Sequence, residues 1–148
     1  MTEPAPERIF HIATAADWRR TLGTGTYTTS TVSRTLEEEG FIHASRRDQV
    51  QGVFDRYYAG LGEDLVLLTI DPSRLEAEVR VEAVGDDTYP HVHGPINRSA
   101  VVDVVPLDRR GGEETLLSLW LKGMAVRMGI AIAVMVAIAV VVLALQQV

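Results

Sequence analysis

The sequence predicts an α+β fold: a small, curved, mostly antiparallel split sheet with two or three short helices, plus one C-terminal transmembrane helix. Three observations predict it. Short apolar or alternating runs recur between turn residues from residue 8 to residue 107, as strands do. Helical spacing is clear only in the stretch that holds Val50, Val53, Phe54 and Tyr57. The last 21 residues, 128–148, carry no charge.

Residues 1–7 are rich in Pro and Glu and read as a disordered N-terminus. Residues 8–13 (RIFHIA) read as a first strand. Thr14 and Asp17 form a cap-like start for a short helix over residues 18–22, which Gly23 and Gly25 end. Residues 27–31 suit a short extended piece, and residues 33–39 a helical turn stopped by Gly40. Residues 41–44 (FIHA) suit a short strand. Ser45 is placed to cap the helix that follows. Residues 65–70 (LVLLTI) are a near-continuous apolar run and predict a central strand. Residues 79–84 alternate and predict a half-exposed strand. Residues 89–96 (YPHVHGPI) are bracketed by Pro90 and Gly94-Pro95, which predicts a pinned loop or strand edge. Residues 100–107 form a final strand, so the soluble domain covers residues 8–108.

Residues 109–114 (RRGGEE) read as a linker, and 115–127 as a juxtamembrane helix with Trp120 near the interface. Residues 128–145 are 18 apolar residues without interruption. As a helix they span about 27 Å, close to the hydrocarbon thickness of a bilayer. Lys122 and Arg127 precede the run and no charge follows it. The expectation is a single-pass protein of the cytoplasmic membrane, with its soluble domain on the cytoplasmic side. No apolar segment or cleavage pattern follows the first residues, so no secretory signal is expected.

Residues 1–112 hold 12 Arg against 18 Asp or Glu, which is the whole net charge of −6. That sign argues against a broad basic face, and no nucleic-acid partner is expected. There is no cysteine, which excludes disulfides, zinc–thiolate sites and thiol catalysis.

His11, His43, His91 and His93 all lie in strand or turn segments of the soluble domain. On a strand, His11 points away from Phe10 and Ile12, whereas Phe41 and His43 share a face. His91 and His93, two apart, also share a face and invite a metal ion. No acidic residue stands at ligand spacing beside them, and no metal is assigned. Gly94-Pro95 pins the chain after His93. Glu82, mid-strand, suits a solvent-facing position or a carboxylate that orients a ligand hydroxyl. Ser45, with Arg46 and Arg47, opens a helix whose N-terminus suits a phosphate. No Walker loop, GxGxxG or GxSxG motif is present.

The motifs Ile9-Phe-His-Ile12, Gly40-Phe-Ile-His-Ala-Ser45 with Gln49-Val50, Leu65-Val-Leu-Leu68 with Asp71-Pro72, and Pro90-His91 with Gly94-Pro95-Ile96 come in this order. Together they resemble the bacterial family called domain of unknown function 952, over about residues 8–108. That family is similar in fold to the ADP-ribosyltransferases, nearest the RNA 2′-phosphotransferase branch. The resemblance implies a split sheet with a nicotinamide dinucleotide, NAD, held in its cleft. His11 would match the histidine that contacts the ribose beside the nicotinamide, and His43 the second histidine. The third position varies in that branch, so Glu82 is not carried over. His91 and His93 belong to the family's own signature. The domain lacks the Arg-rich set of an RNA 2′-phosphotransferase. The expected function is therefore a membrane-anchored domain that uses NAD or a related nucleotide for ADP-ribosyl or phosphoryl transfer, with His11 and His43 as catalytic residues. Ser45, Glu82, His91, His93 and Gly94 would bind the ligand. The alternatives are a non-catalytic nucleotide- or metabolite-binding module and a histidine metal site.

Overall fold

The computed structural model describes residues 6–107. In chain order the elements are β1 (Ile9–Thr14), α1 (Ala15–Thr24), β2 (Thr26–Tyr27), β3 (Thr29–Thr31) and β4 (Arg34–Thr35). Then come α2 (Leu36–Glu39), β5 (Ile42–His43), α3 (Val50–Tyr57), β6 (Leu65–Ile70) and β7 (Glu78–Val84). β8 (Asp87–His93), β9 (Ile96–Asn97) and β10 (Val101–Leu107) complete the described chain.

The helix boundaries follow from local chemistry. The Thr14 hydroxyl accepts the Asp17 amide at 3.0 Å and starts α1. Gly25, at φ 83°, closes it in the left-handed conformation that glycine adopts without penalty. Thr35 and Glu38 form a capping box that starts α2. That box begins the helix at Leu36, three residues later than the sequence reading. Ser33 instead sits at φ 64° in the turn between β3 and β4.

Two three-stranded antiparallel sheets do most of the organising. One has the order β1-β6-β10, the other β5-β8-β7. Every residue of β6 is buried, as its unbroken apolar run requires. One core draws on both sheets: Ile9, Leu68 and Ile70 from the first, Ile42 and Val92 from the second, all at 0% exposure. Burying each such side chain contributes roughly 1.5–3 kcal/mol. Phe10 and Ser45 exchange backbone hydrogen bonds of 2.9 and 2.8 Å and so tie the end of β5 to β1.

Several expectations are corrected. Residues 89–93, expected as a pinned loop or strand edge, are neither loop nor edge: they belong to β8, the middle strand of its sheet. Pro90 is tolerated there because it lies opposite Ala44, just past the end of β5, where the ladder is already finishing. Ser45 does not cap the next helix. The chain enters it through Arg46, whose amide donates to the Gln49 side chain at 2.9 Å. Tyr57, counted with the apolar stripe of α3, is 62% exposed, and Tyr58 is buried instead. α3 ends at Tyr57, so Tyr58 leaves the helical register and turns inward.

Among the described residues, no helix is long and apolar enough to cross a membrane. The expected linker, juxtamembrane helix and 128–145 transmembrane helix lie outside the described residues, as do residues 1–5.

Candidate functional site

A cavity of about 550 Å³ opens between the two sheets and α3. His11, His43, Ser45 and His91 line it. Arg56, Tyr57 and Tyr58 come from α3 and its end, and Tyr89 from β8. Four of the seven site residues expected from sequence therefore share one cavity, although they lie on three segments of the chain.

His11 sits in β1 between Ile9 and Ala13, both members of the core. It is 3% exposed. Its Nδ1 is 2.6 Å from the His43 carbonyl, which can only accept, so Nδ1 carries the hydrogen. Nε2 is 2.8 Å from the Tyr27 hydroxyl and accepts from it. Both ring nitrogens are thus engaged by the protein. Burial holds the pKa down at about 4, against the opposing pull of the carbonyl hydrogen bond. His11 is a neutral imidazole at pH 7. Burial also raises the Tyr27 phenol, so the pair stays uncharged.

His43 projects from the opposite face of β5 to Ile42, which is core. Its ring meets the ring of His91, its register partner in β8, edge-on at 5.0 Å. Desolvation, then the neighbouring His91, holds its pKa below the ordinary value. Glu39, with a carboxylate oxygen 3.6 Å from His43 Nε2, acts in the opposite direction.

His91 is 3% exposed and stacks on Phe41, with centroids 4.2 Å apart and planes at 19°. Its Nδ1 donates to Glu82 at 2.6 Å. His93 donates to the same carboxylate oxygen through Nε2 at 3.2 Å. These bonds, His91 first, hold the Glu82 carboxyl below its ordinary pKa, against some desolvation. The Nε2 of His91 is buried and has no hydrogen-bond partner.

From sequence Glu82 suits either a solvent-facing position or a carboxylate toward a ligand, and the His91–His93 pair has no acidic neighbour at ligand spacing. β7 pairs with β8 and brings that neighbour across. The signal was in the sequence: Gly85-Asp86 marks a hairpin turn. Counting back from Val84↔Asp87 sets Glu82 opposite Tyr89, one diagonal from His91. Glu82 and His93 stand behind His91 and do not line the cavity, and neither does Gly94. A Cβ on Gly94 would lie 2.9 Å from the Ala77 Cβ at φ +157°, so glycine is required there by packing. Arg46 is held by Asp87 at 2.9 Å and by the Thr88 carbonyl at 2.6 Å, away from the phosphate role read for it. Tyr27, Arg56 and Tyr89 were not singled out from sequence. Each is brought to its place by a long-range pairing or a helix end. Among the described residues, no group of three or more His, Asp or Glu side chains is arranged to hold a metal ion.

The family model described as Protein of unknown function (DUF952) matches residues 12–104. The chain belongs to that family. The match runs from Ile12 in β1 to Val104 in β10, so it takes in the whole β5-β8-β7 sheet and most of the cavity lining, with Phe10 and His11 just before it. A crystal structure of protein CC0527 from Caulobacter crescentus is similar, at 29% identity and a TM-score of 0.60, over 68% of this chain and 86% of that one. Its solution NMR structure is similar at 25% identity and a TM-score of 0.54, over 76% of this chain and 99% of that one. No curated protein matches the chain.

Proposed function

We propose that this DUF952 domain binds a nucleotide-like small molecule in the cavity between its two sheets. One observation carries the reading: three histidine rings and an arginine converge on one concavity of about 550 Å³. That volume lies within the range of about 300–1,000 Å³ for small-molecule sites. Tyr57 and Tyr89 offer flat apolar faces for a heterocycle. Arg56 offers a guanidinium that suits a phosphate. Tyr57 and Val84, 62% and 46% exposed, are large apolar side chains at the same cavity, which a bound molecule would cover.

The resemblance to ADP-ribosyltransferases adds NAD and ADP-ribose to the candidates. In this reading His43 contacts the ligand. His11, with both nitrogens taken, shapes the wall and fixes the backbone of His43. The apolar run at 128–145 would hold the site at the cytoplasmic face of a membrane.

Isothermal titration of the full chain with ADP-ribose and with NAD tests the reading. Saturable binding that weakens at least tenfold in Arg56→Ala supports it. Absence of heat with both ligands, or equal affinity in Arg56→Ala, counts against it. Membrane fractionation of the full chain, compared with a chain ending at residue 110, tests the anchor.

A further inference from the structure

We propose that Glu82 and His91 form a proton-transfer dyad in the cavity wall, so that the site hydrolyses or transfers a phosphoester of its ligand rather than storing it. The inference rests on the nucleotide reading above and deepens it.

The geometry has three parts. First, His91 lines the cavity and Glu82 lies behind it, bonded to Nδ1 at 2.6 Å. A carboxylate accepts only, so Nδ1 carries the hydrogen, and in the neutral ring Nε2 has the lone pair. This is the tautomer a general base needs, with the orienting acid on the far nitrogen. Second, Nε2 is buried without a partner. A buried polar atom left unpaired is costly, and such atoms in native proteins call for a reason. A proton donor on a ligand or an attacking water supplies one. Third, Phe41 stacks flat on the ring and His93 shares the Glu82 oxygen, so both imidazole and carboxylate are held in place. His11 is the internal control. It lines the same cavity, yet the protein takes both its nitrogens.

The step balances with water or a ligand hydroxyl as the only co-reactant. Nε2 takes the proton of the attacking O–H as that oxygen bonds to phosphorus. The bond from phosphorus to the leaving oxygen breaks, and that oxygen keeps the electron pair. The imidazolium then returns the proton to the leaving oxygen. Arg56 stands at the same cavity to offset the phosphate charge. His91 is the catalytic residue and Glu82 a positioning residue.

The test uses the full chain and two chromogenic probes, thymidine 5′-p-nitrophenyl phosphate and the small neutral ester p-nitrophenyl acetate. Wild type should release p-nitrophenolate from both with saturation, at least tenfold faster than His91→Gln. Glu82→Gln should lose fivefold or more while melting as wild type does, and Glu82→Asp should recover part of the rate. The ¹⁵N spectrum should show His91 as one fixed tautomer in wild type and a mixture in Glu82→Ala. Should His91→Gln fail to fold, the Glu82 series and the tautomer measurement decide alone. Rates independent of His91 and Glu82 on both probes overturn the dyad, even where titration shows a bound nucleotide. His91-dependent release from the acetate alone keeps the dyad and removes the nucleotide phosphoester.

Discussion

The two three-stranded sheets each place a buried histidine on the same cavity, His11 from one and His91 from the other, and treat them in opposite ways. In β1-β6-β10 the middle strand is buried throughout, and His11 is locked between a carbonyl and a phenol. In β5-β8-β7 the edge strand β7 is half-exposed, and His91 is held by a carboxylate on one nitrogen only. Residue type is the same, and so is burial, at 3% for each. The difference lies in how many ring nitrogens the neighbours consume. A histidine in a strand is a structural part when both are used and a chemical one when one is spare. Under the proposal above, His11 of the first sheet serves stability and His91 of the second serves the chemistry.

The comparison can be broken most forcefully in the core. Leu68→Ala, in the middle of β6, should cost about 2–5 kcal/mol in urea unfolding, since Leu68 is fully buried. Val81→Ala, on the half-exposed edge strand, should cost under about 1.5 kcal/mol. Equal costs would remove the division between the sheets.

Acid should act through the sealed histidine. His11 has a folded pKa of about 4 against an ordinary 6.5, so the unfolded chain binds more protons between those values. Stability is then full above pH 6.5 and falls as the pH drops toward 4, by roughly 3 kcal/mol. His43, also lowered, adds in the same direction. Urea unfolding at pH 7 and pH 4.5 measures this, and a flat profile would contradict a buried neutral His11.

Tyr27→Phe leaves His11 Nε2 without its donor and should cost about 1–3 kcal/mol. Glu82→Gln, at a side chain 38% exposed, should change stability by less than about 1 kcal/mol. The smallest effect on stability belongs to Arg56→Ala at an exposed position, within about 0.5 kcal/mol, with ligand affinity the quantity that falls.

Much of the scaffold was legible because it rests on local rules. The buried run of β6, the alternation of β7, and the Thr14 helix start all follow from period and capping. The grouping of His11, His43, Ser45 and His91 was legible as residue types but not as a place. It depends on β5 pairing with β8 and on the Phe10–Ser45 bridge, contacts far apart in sequence. Pro90 misled because proline usually marks a loop, and here it falls where a short partner strand ends. Glu82 misled because an alternating strand shows which face a residue takes and not what crosses to meet it.

The most direct measurement is thermal melting of the full chain with and without ADP-ribose or NAD, each in large excess. A molecule bound only by the folded cavity raises the midpoint in proportion to its occupancy. The account predicts a rise of about 5 °C or more with at least one of the two, reduced in Arg56→Ala. Identical melting with and without both nucleotides, in wild type and variant alike, would contradict it.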